Sequence, residues 1–215
     1  MSNTKKIADI RKDYSSKSLS KNDVNKDPIA QFSSWFSEAD AAEIEEVNAM
    51  TLATASTQGK PSARIVLLKG VENNGFVFFT NYNSEKGQQL NSNPFAALTF
   101  FWKELERQVR IEGTVQKISL EDSTSYFNSR PYKSRVGAWV SDQSKPLTSR
   151  VELMKKFTWQ ATKFVGQDIP KPDFWGGYIL IPHRIEFWQG RPSRLHDRIN
   201  YTLEEGVWKI ERLSP

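Results

Sequence analysis

Cysteine is absent from all 215 residues. That excludes thiolate nucleophiles, disulfides, cysteine-ligated zinc and iron–sulfur clusters together. His183 and His196 are the only histidines, too few for a multi-histidine centre, so no metal site is expected. No apolar run approaches the length of a membrane helix, roughly 18 residues or more. The N-terminus lacks the apolar stretch of a secretory signal, and its lysines are interspersed with Asp9, Asp13, Asp23 and Asp27, unlike an acid-poor transit peptide. A cytoplasmic protein with no membrane contact is expected. There is no repeat of fixed period, no glycine-rich dinucleotide loop, no Ser-His-Asp order and no paired acids, so the chemistry is expected to belong to a bound cofactor.

Aromatic side chains, by contrast, are abundant: 13 Phe, 7 Trp and 6 Tyr can stack flat ligands as well as fill a core. The formal net charge of +5 admits nucleic acid, acidic membrane or phosphorylated metabolites as partners without choosing among them. The cations are densest in Arg191-Pro-Ser-Arg-Leu-His-Asp-Arg198, three guanidiniums and one imidazole within eight residues. Arginine's planar fork matches phosphate and carboxylate oxygens, which points to a phosphorylated ligand; a solvated basic turn between strands is the alternative.

Residues 1 to about 26 are rich in Lys, Ser, Asn and Asp, the composition of a mobile segment, and Arg11 with Tyr14 could close over an anion as a lid. Residues 27–215 form a single domain. Asp27-Pro28 opens a helix to about residue 38, and a second helical segment is expected over 41–47. Strands follow over 50–56, 62–70 and 76–80, a short helix from Ser84 to Leu90, and long strands near 95–103 and 106–118. Helices are expected over 119–128, 131–140 and 147–164, then strands over 175–181, 184–189 and 207–212. Hairpin spacing with few helices favours a mainly β (α+β) fold, a closed or partly closed antiparallel barrel, over a parallel sheet.

Three further groups carry candidate chemistry. In Arg64-Ile-Val-Leu-Leu-Lys69 the period-two alternation puts the two cations on opposite faces, serving separate anions unless a bulge intervenes. Thr80, Ser84 and Lys86 surround a helix N-terminus suited to phosphate. Tyr126, Arg130 and Ser134 recur every four residues, but Pro131 breaks the helix, so they are expected around a corner where a second phosphate fits, with Gln143-Ser144 nearby. His196 is the candidate for proton transfer in the basic stretch, whereas His183 reads as structural.

Taken in order, Arg64-Ile-Val-Leu-Leu-Lys69, Phe78-Phe-Thr-Asn-Tyr-Asn-Ser84, Asn93-Pro94 with Phe100-Phe-Trp102, Arg107-Gln-Val-Arg-Ile-Glu-Gly113, Trp175-Gly-Gly-Tyr178 and Phe187-Trp-Gln-Gly-Arg-Pro-Ser-Arg-Leu-His-Asp-Arg198 resemble the pyridoxine (pyridoxamine) 5′-phosphate oxidase family. The resemblance runs from about Arg11 to Pro215. It implies an antiparallel Greek-key, FMN-binding split β-barrel with flanking helices, working as a homodimer with FMN at the interface. It implies oxidation of pyridoxamine or pyridoxine 5′-phosphate to pyridoxal 5′-phosphate, by hydride transfer from C4′ to flavin N5, with O2 as acceptor and H2O2 as product. On the same ground Arg64, Thr80, Lys86 and Ser144 would hold the FMN phosphate and ribityl chain. Ile65, Val66, Leu67, Leu68, Lys69, Phe79, Gln108, Gln143, Trp188 and Arg198 would complete the cofactor site. Lys69, Tyr126, Arg130 and Ser134 would clamp the substrate phosphate, Arg194 and His196 would be catalytic beside the pyridine ring, and Arg11 and Tyr14 would belong to the closing segment. Glu85 departs from the pattern, standing where many family members carry a basic residue.

Three competing readings remain, of which a split-barrel reductase using another flavin donor is disfavoured by the Tyr126, Arg130 and Ser134 set. A nucleic-acid-binding barrel would suit the basic charge, but the cations gather at discrete points between apolar strands. A noncatalytic binder of flavin or pyridoxal phosphate would not need Arg194 and His196.

Overall fold

The computed structural model describes residues 6–7, 13–15 and 17–215; Arg11 lies outside the described residues. Among the described residues, five α-helices and nine strands follow in the order α1 (Pro28–Ala41), β1 (Ala49–Ala55), β2 (Pro61–Leu67), β3 (Gly70–Glu72), β4 (Gly75–Asn81), α2 (Glu85–Ser92), β5 (Phe95–Trp102), β6 (Arg107–Lys117), α3 (Leu120–Ser129), α4 (Tyr132–Val140), α5 (Arg150–Lys163), β7 (Trp175–Gln189), β8 (Asp197–Glu204) and β9 (Val207–Leu213). Hydrogen-bonded neighbours in the sheet run β2-β1-β5-β6-β7-β4-β3, with β8 pairing both β7 and β9. No helix among the described residues is long and apolar enough to cross a membrane.

The chain divides into two compact units, one of residues 1–47, 99–111 and 183–215, the other of residues 48–98 and 112–182. The first is built around α1. Asp27 caps it by accepting the Ile29 N–H at 2.9 Å, and Pro28 sits in its first turn, where no amide donor is needed. Its buried face, Phe32, Trp35 and Ala39, recurs at helical spacing and meets Phe100, Trp102 and Phe187. The Arg107 guanidinium, which is buried, lies 4.2 Å from the Trp35 ring centroid and bonds Glu38 at 2.9 Å and Gln189 at 3.0 Å. A buried arginine is tolerated only when its donors are matched in this way.

In the second unit β1 and β2 form a hairpin in which Leu52 faces Arg64 and Thr54 faces Ser62. Paired to β4 is the first half of β7, Phe79 opposite Gly177 and Thr80 opposite Gly176. The glycines are needed there: a Cβ on Gly177 would stand 2.8 Å from the Phe79 ring, and one on Gly176 would collide with the Tyr82 hydroxyl. A separate apolar cluster of Phe127, Val136, Val140, Phe164, Ile169 and Trp175 ties α3, α4 and α5 together.

Four expectations change. Residues 42–47 form turns instead of a helix, with Glu43 and Glu46 at positive φ. The strand expected over 62–70 is two strands, because at Leu68–Lys69 the backbone changes partner: Leu68 N–H bonds Asn48 and Lys69 N–H bonds Val77. Pro182 does not interrupt β7, which runs unbroken for 15 residues. β8 was not anticipated, since its first residues read as part of the basic stretch.

Candidate active site

A cleft of about 690 Å3 opens in the second unit. One wall is Ile65, Val66 and Leu67 of β2 with Lys69 beyond it; another is Phe79, Thr80 and Asn81 of β4 with Lys86 of α2. Ser134, Gly137, Ala138 and Ser141 follow helical spacing along α4 and supply a third, joined by Tyr126, Arg130, Pro131, Gln143 and Trp175. This volume lies within the usual range for small-ligand sites, roughly 300–1,000 Å3.

Two of the cations in the cleft, Lys86 and Arg130, stand in different surroundings. Lys86 Nζ donates to Gln143 Oε1 at 3.1 Å and to Thr80 Oγ1 at 3.4 Å, and Thr80 Oγ1 donates to the same amide oxygen at 3.1 Å. Burial, then the nearby Arg64 charge, lowers the Lys86 pKa, against an opposing pull from Glu85. Ser84 lends nothing to a ligand here: its hydroxyl donates to Asn81 O at 2.6 Å and accepts the Gly87 N–H at 3.3 Å, closing the cap of α2.

Arg130 stands at the corner where α3 ends and Pro131 opens α4. Phe79, Tyr126 and Trp175 stack with interplanar angles of 22° or less, the Phe79 and Tyr126 centroids 3.9 Å apart. The Arg130 guanidinium lies 4.6 Å from the Trp175 centroid, and its Nη1 is buried with no hydrogen-bond partner among the described residues. Burial lowers its pKa. Lys69, Ser134 and Tyr126 line the same cleft as this unmatched guanidinium donor, a donor set suited to an oxyanion.

Of the residues singled out from sequence, Ile65, Val66, Leu67, Lys69, Phe79, Thr80, Lys86, Tyr126, Arg130, Ser134 and Gln143 line this cleft. Arg64 lies outside the lining, its Nη1 donating to Thr54 Oγ1 at 2.5 Å. Leu68 is buried, and Ser144 is exposed in a turn at φ 70°. Sequence reasoning passed over Asn81, Ser141 and Trp175 as site residues, although Trp175 opens a motif it had noticed.

Gln108, Trp188, Arg194, His196, Arg198 and Tyr14 belong to the first unit. Two of the three guanidiniums in the basic stretch are paired: Arg198 bidentately with buried Glu186 at 3.0 Å through both oxygens, and Arg191 3.5 Å from Asp197, each carboxylate being shared with other arginines. Arg194 makes no ion pair among the described residues and, like Ser193, adopts positive φ. The His196 ring packs 4.6 Å from Trp188 and 5.8 Å from Tyr14, and its Nδ1 accepts the Arg191 N–H at 3.1 Å. With Nδ1 an acceptor, the neutral ring carries its proton on Nε2. Burial and then Arg194 lower the His196 pKa, which favours that neutral form.

Solved structures with the same arrangement of elements include PhzG from Burkholderia lata 383, crystallised with tetrahydrophenazine-1-carboxylic acid, at TM-score 0.86 and 29% identity over 90% of this chain and 95% of that one. A pyridoxamine 5′-phosphate oxidase-related, FMN-binding protein from Nostoc punctiforme matches at TM-score 0.69 and 16% identity over 87% and 97%. The class is therefore that of split β-barrel proteins, antiparallel with flanking helices. Residues 36–163 match the family described as pyridoxamine 5′-phosphate oxidase, and residues 175–215 match the pyridoxine 5′-phosphate oxidase C-terminal dimerisation region. Curated relatives named pyridoxine/pyridoxamine 5′-phosphate oxidase include one from Actinobacillus pleuropneumoniae serotype 5b, 59% identical over 97% of this chain and 99% of that protein. Another, from a Cyanothece species, is 56% identical over 97% and 98%. The chain belongs to the pyridoxamine 5′-phosphate oxidase family.

Proposed function

We propose that the chain is an FMN-dependent oxidase that converts pyridoxamine 5′-phosphate and pyridoxine 5′-phosphate to pyridoxal 5′-phosphate, with O2 as electron acceptor and H2O2 as product. The observation that carries this reading is a single cleft holding two separate cationic groups, around Lys86 and around Arg130, one for each of two phosphates. The residues present fit FMN: Lys86, Thr80 and Gln143 suit its phosphate and ribityl oxygens, and the apolar stretch from Ile65 to Leu67 suits a flat ring. FMN held by these residues would supply the two-electron redox chemistry of the oxidation.

The protein's own contribution is positioning. Arg130, Lys69, Tyr126 and Ser134 hold the substrate phosphate, so recognition of a remote group orients the reacting carbon. Tyr126 and Trp175, stacked with Phe79, keep water from the Arg130 side chain and strengthen its hold. Arg194 and His196 flank the pyridine ring; neutral His196 offers an N–H at Nε2 as a hydrogen-bond donor to the substrate. Arg198 is held by Glu186 in a fixed orientation. The chain works as a homodimer with FMN at the subunit interface, and the Tyr14 ring packs against His196.

Mixing the FMN-loaded protein anaerobically with pyridoxamine 5′-phosphate, then admitting air, tests the reading. The visible flavin absorbance should bleach and return, with pyridoxal 5′-phosphate and peroxide formed. Flavin that never bleaches, with pyridoxine 5′-phosphate tried as well, would leave only a binding protein.

A further inference from the structure

Arg64 stands close enough to Lys86 for its charge to be felt there, yet its guanidinium bonds within its own hairpin. On the paired strands β1 and β2, Arg64 faces Leu52 and Ser62 faces Thr54. Arg64 Nη1 donates to Thr54 Oγ1 at 2.5 Å. The threonine hydroxyl has one proton, and it goes to Gln89 Oε1, also at 2.5 Å, because an amide oxygen can only accept. Thr54 therefore meets Arg64 with a lone pair. The other end of the Gln89 amide donates to Glu85 Oε1 at 3.3 Å and to Ser62 Oγ at 3.2 Å, while Ser62 Oγ donates to Glu85 Oε1 at 3.3 Å. Glu85 and Gln89 stand one turn apart on α2, on the same face.

Direction along this line is set at its carboxylate end. An ionised carboxylate accepts only, so turning the Gln89 amide over would place two acceptors against each other at Glu85. The amide is thus held with its oxygen toward Thr54, and every link runs one way, from Arg64 through Thr54 and Gln89 to Glu85. Arg64 Nε and Nη2 take no partner among the described residues and stay available to an anion. A long side chain without such a line would lose rotamer freedom on binding, which weakens affinity.

We propose that Gln89 is a positioning residue that aims Arg64 through Thr54, and thereby a determinant of this chain's affinity for the phosphate of its cofactor. This rests on the FMN reading above. Glu85 has two effects of one ionised group: its accept-only oxygen fixes the amide, while its negative charge opposes any anion held by Arg64 and Lys86.

The test is a double-mutant cycle read by FMN binding to apoprotein, followed through flavin fluorescence. Gln89→Leu should weaken FMN about tenfold, the scale of one charge-assisted hydrogen bond; in the Arg64→Gln background the same change should cost less than about twofold, because the coupled partner is gone. Thr54→Val cuts the line at its next link and should reproduce the Gln89→Leu loss in a protein that keeps the buried volume. Glu85→Gln removes the accept-only end of the line, since an amide can also donate, so Gln89→Leu should cost less in that background than in the wild type. Wild-type affinity in both Gln89→Leu and Thr54→Val, or equal losses with and without Arg64, overturns the relay. Wild-type apoprotein that takes up no FMN overturns the cofactor reading itself, a distinguishable result.

Discussion

Arg130 combines features that separate stability from function. Its Nη1 is buried without a partner among the described residues, an arrangement that costs the unliganded protein on the order of 1–3 kcal/mol. Arg130→Met retains an unbranched chain beside Phe127 and Trp175 and removes that burden. The unfolding free energy in urea is expected to be no lower than wild type, while KM for pyridoxamine 5′-phosphate rises more than about tenfold. Parallel losses of both would refute the assignment. Lys86 gives a pH signature instead. Its pKa lies below the ordinary 10.5, chiefly through burial. Between the folded value and 10.5 the unfolded chain binds more protons, so this residue's contribution to stability rises with pH through that window. Affinity for an anion moves the other way, because the charge is lost as pH climbs through the lowered value. FMN affinity should fall on the alkaline side at a pH below 10.5, and Lys86→Arg should flatten that limb in fluorescence titrations.

At the scale of elements, the end of β7 is shaped for a neighbour distant in sequence. A Cβ on Gly190 would stand 2.7 Å from the Tyr14 ring, which packs against Trp188 and His196. Gly190→Ala should displace Tyr14 and raise substrate KM severalfold with little change in melting temperature; an unchanged KM would show that the Tyr14 contact is incidental. α5 tests a different dependence. Ser149 caps it by accepting the Glu152 N–H at 3.1 Å, and Leu153, Phe157 and Ala161 pack on the Phe127–Trp175 cluster. Ser149→Ala should lower stability by about 1 kcal/mol in urea denaturation, the usual value of a serine cap. Three caps were legible in the sequence, since Asp27, Ser84 and Ser119 each open a helix through local spacing, whereas α5, expected from residue 147, begins only after Ser149. The division of residues 61–72 was not: whether a strand continues or changes partner depends on Asn48 and Val77, which no local pattern identifies.

For the whole molecule, the match of residues 175–215 to a dimerisation region bears on how FMN is retained. A homodimer with FMN at its interface should sediment at about twice 24.7 kDa and bind two FMN. It should also lose FMN on dilution as protomers separate, since ligand and subunit association are then linked. A single protomer of 24.7 kDa that keeps FMN at full affinity would argue against an interfacial site.

The sequence by itself determined the class of fold and most of the cleft. Strand alternation, helix caps and the Pro131 break are local properties, and they suffice to put Lys69, Tyr126, Arg130 and Ser134 among the candidates. It also supplied the family, because so many motifs recur in order. What it could not supply was the state of each charge. Arg191, Arg194 and Arg198 read alike along the chain, yet folding pairs Arg198 with Glu186 and Arg191 with Asp197 and leaves Arg194 without an ion pair among the described residues. The aim of Arg64 was likewise decided by Thr54 and by Gln89, a residue from another element that no local pattern singled out. Local spacing sets which residues share a face; which donors remain free is settled only when distant backbone and side chains compete for them in three dimensions.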